Sequence, residues 1–329
     1  MAPNVDNYNR RITYLRVSVT DRCNLRCIYC VPVKDLTLLN HGDILSYEEI
    51  LRVLQTAAEI GIEKVRLTGG EPLVRRDFVH FVESVCQMSA FKEVSITTNG
   101  VHLKEKAQEI FDAGVRRINV SLDTLDPVKY AKITGRDYFD NVWEGLEEAE
   151  AAGFSPIKLN VVAIRGINDD ELLDFAQLSV RKPYHIRFIE YMPIGHDNRW
   201  TPAKYISSDE IKYKLDSYSP LHKIPHLAED GPAKRCRFES AKGEIGFISA
   251  LSHHFCSTCN RLRLTADGKL RPCLFAEDEV DIKIPLRSGC SQEDLKCLFQ
   301  QAIAKKPKGH HDKISQRVQC LRPMSAIGG

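Results

Sequence analysis

No stretch of this 329-residue chain runs apolar for 18 residues, so a membrane-spanning helix of ordinary length is not expected. The opening residues, MAPNVDNYNRR, hold no apolar signal core, and the expected location is the cytoplasm. Charge of one sign is also missing. Lys and Arg number 46 against 44 Asp and Glu, a net +2, so no general field draws nucleic acid or a membrane surface, and neither is expected as a partner. The phosphate-cradling pattern G-x-x-x-x-G-K-[ST] is absent, and a bound triphosphate would be held by side chains.

Cysteine, by contrast, is plentiful. Six of the eleven fall into two groups, 23/27/30 and 256/259/273, while Cys86, Cys236, Cys290, Cys297 and Cys320 are scattered and read as ordinary thiols. Disulfide frameworks belong to shorter secreted chains. Grouped cysteines in a reducing compartment bind metal or take part in catalysis. The length suggests about two domains, expected at 1–200 and 201–329.

From residue 12 to 190 short β-branched runs alternate with helical patterns. The strands are expected at Thr13–Val19, Lys64–Thr68, Val94–Thr98, Arg117–Leu122, Lys158–Ala163 and His185–Glu190. The first helix opens with a capping box, Ser46 and Glu49, carries Ile50, Val53, Leu54, Ala57 and Ala58 at helical spacing, and stops at Gly61. Further helices are expected near 77–88, 103–113, 140–152 and 169–179, and a last one over 291–304. Six such alternations imply a parallel α/β sheet, open or curled into an incomplete barrel, with its chemistry at the C-terminal ends of the strands. Residues 201–245 show no clear pattern. A β-hairpin is expected to turn at Asp267–Gly268 and to fold Cys273 back opposite Leu262.

The first cysteine group follows the first strand directly as C-x3-C-x2-C: Cys23, Cys27, Cys30. A structural zinc site takes four ligands, and a [4Fe–4S] cluster normally takes four cysteines, so three would leave one iron with an open position. A zinc knuckle with a distant fourth ligand is the alternative. In the second group, Cys256, Cys259 and Cys273, either His253 or His254 could complete a Cys3His zinc site. Basic residues in buried parallel strands are costly unless paired or facing a ligand. Arg16, Lys64, Arg66, Lys158, Arg187, Arg261 and Arg263 are therefore candidates for phosphate.

C-x3-C-x2-C with Tyr29 before the last cysteine resembles the radical S-adenosylmethionine signature, and Gly69-Gly70-Glu71-Pro72 after the second strand resembles that superfamily's glycine-rich element. Arg16-Val-Ser-Val-Thr-Asp-Arg-Cys23, Cys256-Ser-Thr-Cys-Asn-Arg-Leu-Arg263, Arg271-Pro-Cys273-Leu and the terminal Met324-Ser-Ala-Ile-Gly-Gly329 resemble the GTP 3',8-cyclases of molybdenum cofactor biosynthesis, over nearly the whole chain. The resemblance implies a six-unit partial β/α barrel, closed by a C-terminal extension that carries a second centre. It implies two [4Fe–4S] clusters, on Cys23, Cys27 and Cys30 and on Cys256, Cys259 and Cys273. It implies S-adenosylmethionine contacts at Tyr29, Gly70, Ser121 and Met192, where glycine lets the backbone approach the methionine moiety. It implies GTP as substrate, with contacts at Arg16, Arg66, Thr97, Lys158, Arg261 and Arg263, more loosely at Lys64 and Arg187, and with Gly328 and Gly329 inserted into the site. A homodimer, and a cyclic pyranopterin monophosphate synthase acting on the product, are implied as well; no electron donor is. Peptide-maturing radical enzymes share the first motif, but the Cys256–Arg263 phrase and the Gly-Gly end argue against that class.

Overall fold

In the computed structural model, residues 4–30, 37–195, 199–225, 231–309, 320 and 322–328 are described. The strand–helix alternation takes the expected order: β1 (Tyr14–Ser18), α1 (Tyr47–Glu59), β2 (Lys64–Thr68), α2 (Phe78–Cys86), β3 (Glu93–Thr98), α3 (Leu103–Asp112) and β4 (Arg117–Ser121). Then come α4 (Pro127–Thr134) and α5 (Phe139–Ala151), β5 (Ile157–Ala163), α6 (Leu172–Arg181) and β6 (Tyr184–Glu190). Ser46 and Glu49 close the capping box of α1 reciprocally, at 3.2 and 2.7 Å, and Gly61 follows with φ +96°, a conformation that glycine adopts without cost.

The patternless region is not a loop. It folds as α7 (Ser208–Tyr218), β7 (Leu221–Lys223), β8 (Lys234–Phe238) and β9 (Glu244–Ile248). After it come β10 (Arg261–Leu264), β11 (Lys269–Arg271), β12 (Val280–Asp281), α8 (Lys283–Arg287), α9 (Gln292–Ala304) and α10 (Met324–Ile327). The twelve strands of the described residues share one sheet, ordered β12-β11-β10-β1-β2-β3-β4-β5-β6-β9-β8-β7. The six expected units are its centre. The C-terminal segment adds a parallel strand at each edge, β10 beside β1 and β9 beside β6, and no ladder joins β9 to β10. The curved sheet is therefore unclosed by hydrogen bonds.

The two faces of the sheet differ in chemistry. Leu15, Val17, Val65, Leu67, Ile96, Ile118, Val120, Leu159, Val161, Ile186 and Phe188 face the helices and are buried with Ile50, Val53 and Leu54 of α1. Each such side chain contributes about 1.5–3 kcal/mol by leaving water. The alternate residues face inward and, apart from Val162 and Ile189, are mostly polar. An ordinary closed barrel fills its interior with Val, Ile and Leu; this one does not, and the difference defines the site.

Candidate active site

Register builds the interior in layers. Arg263 pairs with Arg16, Arg16 with Arg66, and Arg66 with Ser95. Thr97 pairs with Asn119, Asn119 with Lys158, and Lys158 with His185. Ser121 pairs with Asn160, and Asn160 with Arg187. Parallel strands in register place all of these on one face. Arg66 reaches the Ser95 hydroxyl at 3.2 Å and lies over the Tyr14 ring, and Arg187 donates to Asn119 Oδ1 at 3.2 Å.

Five inward cations, Arg16, Arg66, Lys158, Arg187 and Arg263, crowd this space. Among the described residues, Arg66, Lys158, Arg187 and Arg263 have no carboxylate within ion-pair distance, whereas Lys64 sits 3.9 Å from Glu93. Burial, then repulsion from Arg263 and Arg66, holds Arg16 well below its ordinary value. Burial followed by Arg187 brings Lys158 down to about 7; Arg187 and Arg263 fall to about 10, again chiefly from burial. Thr97 Oγ1 and Asn160 Oδ1 are buried there without a hydrogen-bond partner. Cations at least half-buried with no carboxylate beside them, and orphaned polar atoms, are costly without an anionic, polar occupant. Arg261, half-buried at the same edge, lies over the Phe255 ring.

The first cysteine trio occupies the loop after β1, at the C-terminal mouth. Its three thiols are unbridged. Burial and then the neighbouring sulfur charge raise Cys27, and Cys30 to about 12, while burial first raises Cys23. Three half-buried thiols whose charged forms repel one another are stabilised as thiolates by a shared cationic centre, and so they fit iron. Among the described residues no three His, Cys, Asp or Glu side chains close around a single metal ion.

The structure gives the paired glycines a further reason. A Cβ on Gly69 would lie 2.6 Å from the Thr20 carbonyl oxygen, and one on Gly70 would lie 2.3 Å from that of Arg22. Gly70 N donates to Thr20 O at 2.7 Å and Glu71 N to Arg22 O at 2.8 Å. The glycine element is thus laced to the cysteine loop itself. In the sequence Glu71 stood out only as part of the glycine-rich element, and Asp123 had no signal. Glu71 accepts from Leu73 N, Thr98 Oγ1 and Asn99 N, joining the ends of β2 and β3, and burial raises it to about 7. Asp123 accepts from the Tyr29 hydroxyl at 2.5 Å and from Val162 N at 2.8 Å, and burial raises it to about 6. Ser121, two residues before Asp123, and Met192, packed against the cluster of Ile194, Phe275, Cys320 and Ile327, stand at the same mouth.

The second trio departs from the expected placement. Cys256 and Cys259 precede β10, which runs parallel to β1, so they lie at the N-terminal mouth. Arg263 pairs with Arg271, a register that carries Cys273 toward Arg261 rather than Leu262. Strands rise about 3.3 Å per residue, so the five residues of β1 separate the two mouths by roughly 16 Å. Burial raises Cys259, but Arg261 and then Lys306 outweigh it and bring the thiol to about 6. His253 bonds Asp209 at 2.6 Å instead of joining the trio. Glu190, fully buried, accepts from Ser208 N, Leu251 N and Ser252 N and anchors the loop leading to Cys256.

The tail enters from the C-terminal mouth. Arg322 grips Asp267 at 2.9 and 2.8 Å, and Arg263 donates to the Gly328 carbonyl. Gly328 has φ +78°, and a Cβ there would come 2.9 Å from the Thr68 methyl, so only glycine fits. Gly329 lies outside the described residues.

Residues 17–179 match the family model of the radical SAM superfamily, and residues 184–312 match the Molybdenum Cofactor Synthesis C model. A GTP 3',8-cyclase from Thermodesulfovibrio yellowstonii is 49% identical over 325 residues, covering 98% of this chain and 99% of that protein. Another, from Moorella thermoacetica, is 49% identical over 324 residues, with 98% and 99% covered. Among solved structures, Streptococcus suis SuiB bound to S-adenosylmethionine aligns with a TM-score of 0.64 at 14% identity, over 95% of this chain and 77% of that one, a likeness of fold. With the cysteine loop, the glycine element and both family models in the same chain as these near-full-length matches, the protein belongs to the GTP 3',8-cyclase family of radical S-adenosylmethionine enzymes.

Proposed function

We propose that this chain converts GTP to 3',8-cyclo-7,8-dihydro-GTP with S-adenosylmethionine as co-substrate, the first step of molybdenum cofactor biosynthesis. The observation that carries the reading is a polar interior in which, among the described residues, Arg66, Lys158, Arg187 and Arg263 face no carboxylate, set between two cysteine trios that form no disulfide. Cys23, Cys27 and Cys30 hold a [4Fe–4S] cluster, which when bound supplies the electron that cleaves S-adenosylmethionine. Tyr29, Gly70, Ser121 and Met192 hold that co-substrate at the C-terminal mouth. Arg16, Arg66, Lys158, Arg261 and Arg263, with Thr97, bind the nucleotide, where guanidinium groups grip phosphate oxygens bidentately. Their work is to hold ribose C3' and guanine C8 in one orientation while the C3' hydrogen is lost and the two carbons join. The docked tail, through Gly328, shields that space from water and stray hydrogen donors.

Cys256, Cys259 and Cys273 would hold a second [4Fe–4S] cluster, which would supply a Lewis-acidic contact for the guanine base. The chain works as a homodimer and passes its product to cyclic pyranopterin monophosphate synthase. Anaerobic turnover of reconstituted protein with GTP, S-adenosylmethionine and a chemical reductant should yield 5'-deoxyadenosine and the cyclised nucleotide in equal amounts. Absence of 5'-deoxyadenosine would reject the proposal.

A further inference from the structure

Lys306 follows α9 and is only 4% exposed. Its ammonium donates to the Arg261 carbonyl at 2.7 Å and to the Pro272 carbonyl at 2.8 Å. Arg261 lies two residues after Cys259, and Pro272 immediately precedes Cys273. One amine therefore staples together the two limbs on which these cysteines ride. Arg10 does the same for the remaining limb. It donates to the Cys256 carbonyl at 2.6 Å and to the Pro307 carbonyl at 2.7 Å, while Asp6 holds its other end at 2.6 Å. All three cysteine backbones are thus tethered to the segment after α9.

The two cations are not equivalent. Arg10 has its carboxylate. Among the described residues Lys306 has none within ion-pair distance, and the negative charge in its surroundings comes from the Cys259 and Cys273 sulfurs. A buried ammonium with only carbonyls for partners is expensive, and a methionine of similar length would fill the space more cheaply. It is favourable where the neighbouring sulfurs are ionised, as metal ligands are.

We propose that Lys306 is a positioning residue for the second cysteine trio, setting the spacing of Cys259 and Cys273 and offsetting the charge of the thiolate-bound centre there. This rests on the reading that the trio holds an iron–sulfur cluster. Lys306 touches neither substrate nor co-substrate, and its effect passes through the cysteine limbs.

The test is anaerobic reconstitution of the full chain as wild type, Lys306→Met, Lys306→Arg and a Cys256/Cys259/Cys273→Ala triple variant. Iron and sulfide are counted, and each centre is followed by EPR-monitored redox titration with and without GTP. Wild type should bind about eight irons and the triple variant about four, as two [4Fe–4S] clusters require. Lys306→Met should keep the S-adenosylmethionine-sensitive signal of the first centre and either lose about half the iron or retain it with a lowered potential and a weakened GTP response at the second. Lys306→Arg should restore the iron and most of the potential. Full iron with an unshifted second potential in Lys306→Met overturns the proposal. So does loss of both centres together in both Lys306 variants, which marks Lys306 as a general fold residue. Equal iron in wild type and the triple variant refutes the underlying cluster reading instead, and the proposal falls with it.

Discussion

Gly70→Ala should disable the first site through backbone geometry alone. The new Cβ would stand 2.3 Å from the Arg22 carbonyl oxygen, 2.6 Å from its carbon and 2.7 Å from the Asp21 oxygen. All three are main-chain atoms, so no side chain can rotate away. Ordinary contact begins near 3.4 Å, and the glycine element and the cysteine loop must part by about 1 Å. That parting strains the pair of 2.7 and 2.8 Å hydrogen bonds from Gly70 N and Glu71 N and moves Cys23, the next residue in the loop. A misplacement of about 1 Å at reacting groups costs on the order of 100-fold in rate. S-adenosylmethionine affinity by calorimetry, iron content and 5'-deoxyadenosine formation are the measurements. Gly42→Ala, where a Cβ meets nothing within 4 Å, is the matched control. If Gly70→Ala bound S-adenosylmethionine and turned over like the control, the close approach would not govern the loop.

The remaining predictions concern other parts of the site. Lys158 sits near 7 in the ligand-free interior, against an ordinary value of about 10.4, so between these limits the folded amine is largely neutral. A triphosphate raises it again. GTP binding should then take up a proton above about pH 7 and weaken as pH rises, seen as a buffer-dependent binding enthalpy that Lys158→Met abolishes. Asp123→Asn and Tyr29→Phe should each weaken S-adenosylmethionine binding by roughly tenfold, about 1.5 kcal/mol for a hydrogen bond to a charged acceptor. The double variant should be no worse than either single, since both remove one interaction; additive losses would refute the pairing. Arg322→Ala should release the tail from Asp267 and raise the dissociation constant for GTP more than that for S-adenosylmethionine. The charge swap Arg322→Asp with Asp267→Arg should recover part of the loss, and a swap no better than the single change would count against the latch.

What the sequence determined by itself was local or periodic. Apolar spacing and caps set α1, with Ser46, Glu49 and Gly61 at its ends, and β-branched runs marked the six central strands. Asp267–Gly268 set the hairpin, Gly268 taking φ +76°, and C-x3-C-x2-C placed three sulfurs on one loop. β8, Lys-Arg-Cys-Arg-Phe, was illegible because a strand near the sheet edge with one wet face leaves few apolar residues to show a period. Only the tertiary structure decided what these pieces enclose. Parity told that Arg16, Arg66 and Lys158 share faces on their own strands; the registers made those faces one interior. The tethers lie further beyond local reach: Tyr29 and Asp123 are 94 residues apart, and Lys306 and Pro272 are 34. The second trio belongs to the N-terminal mouth because β10 joins the sheet parallel to β1, nearly 250 residues distant in sequence (Asn260 pairs with Thr13, 247 apart). Spacing along a chain fixes what neighbours can do together, whereas closure of a sheet, paid in the entropy of ordering long segments, decides which distant groups become neighbours at all.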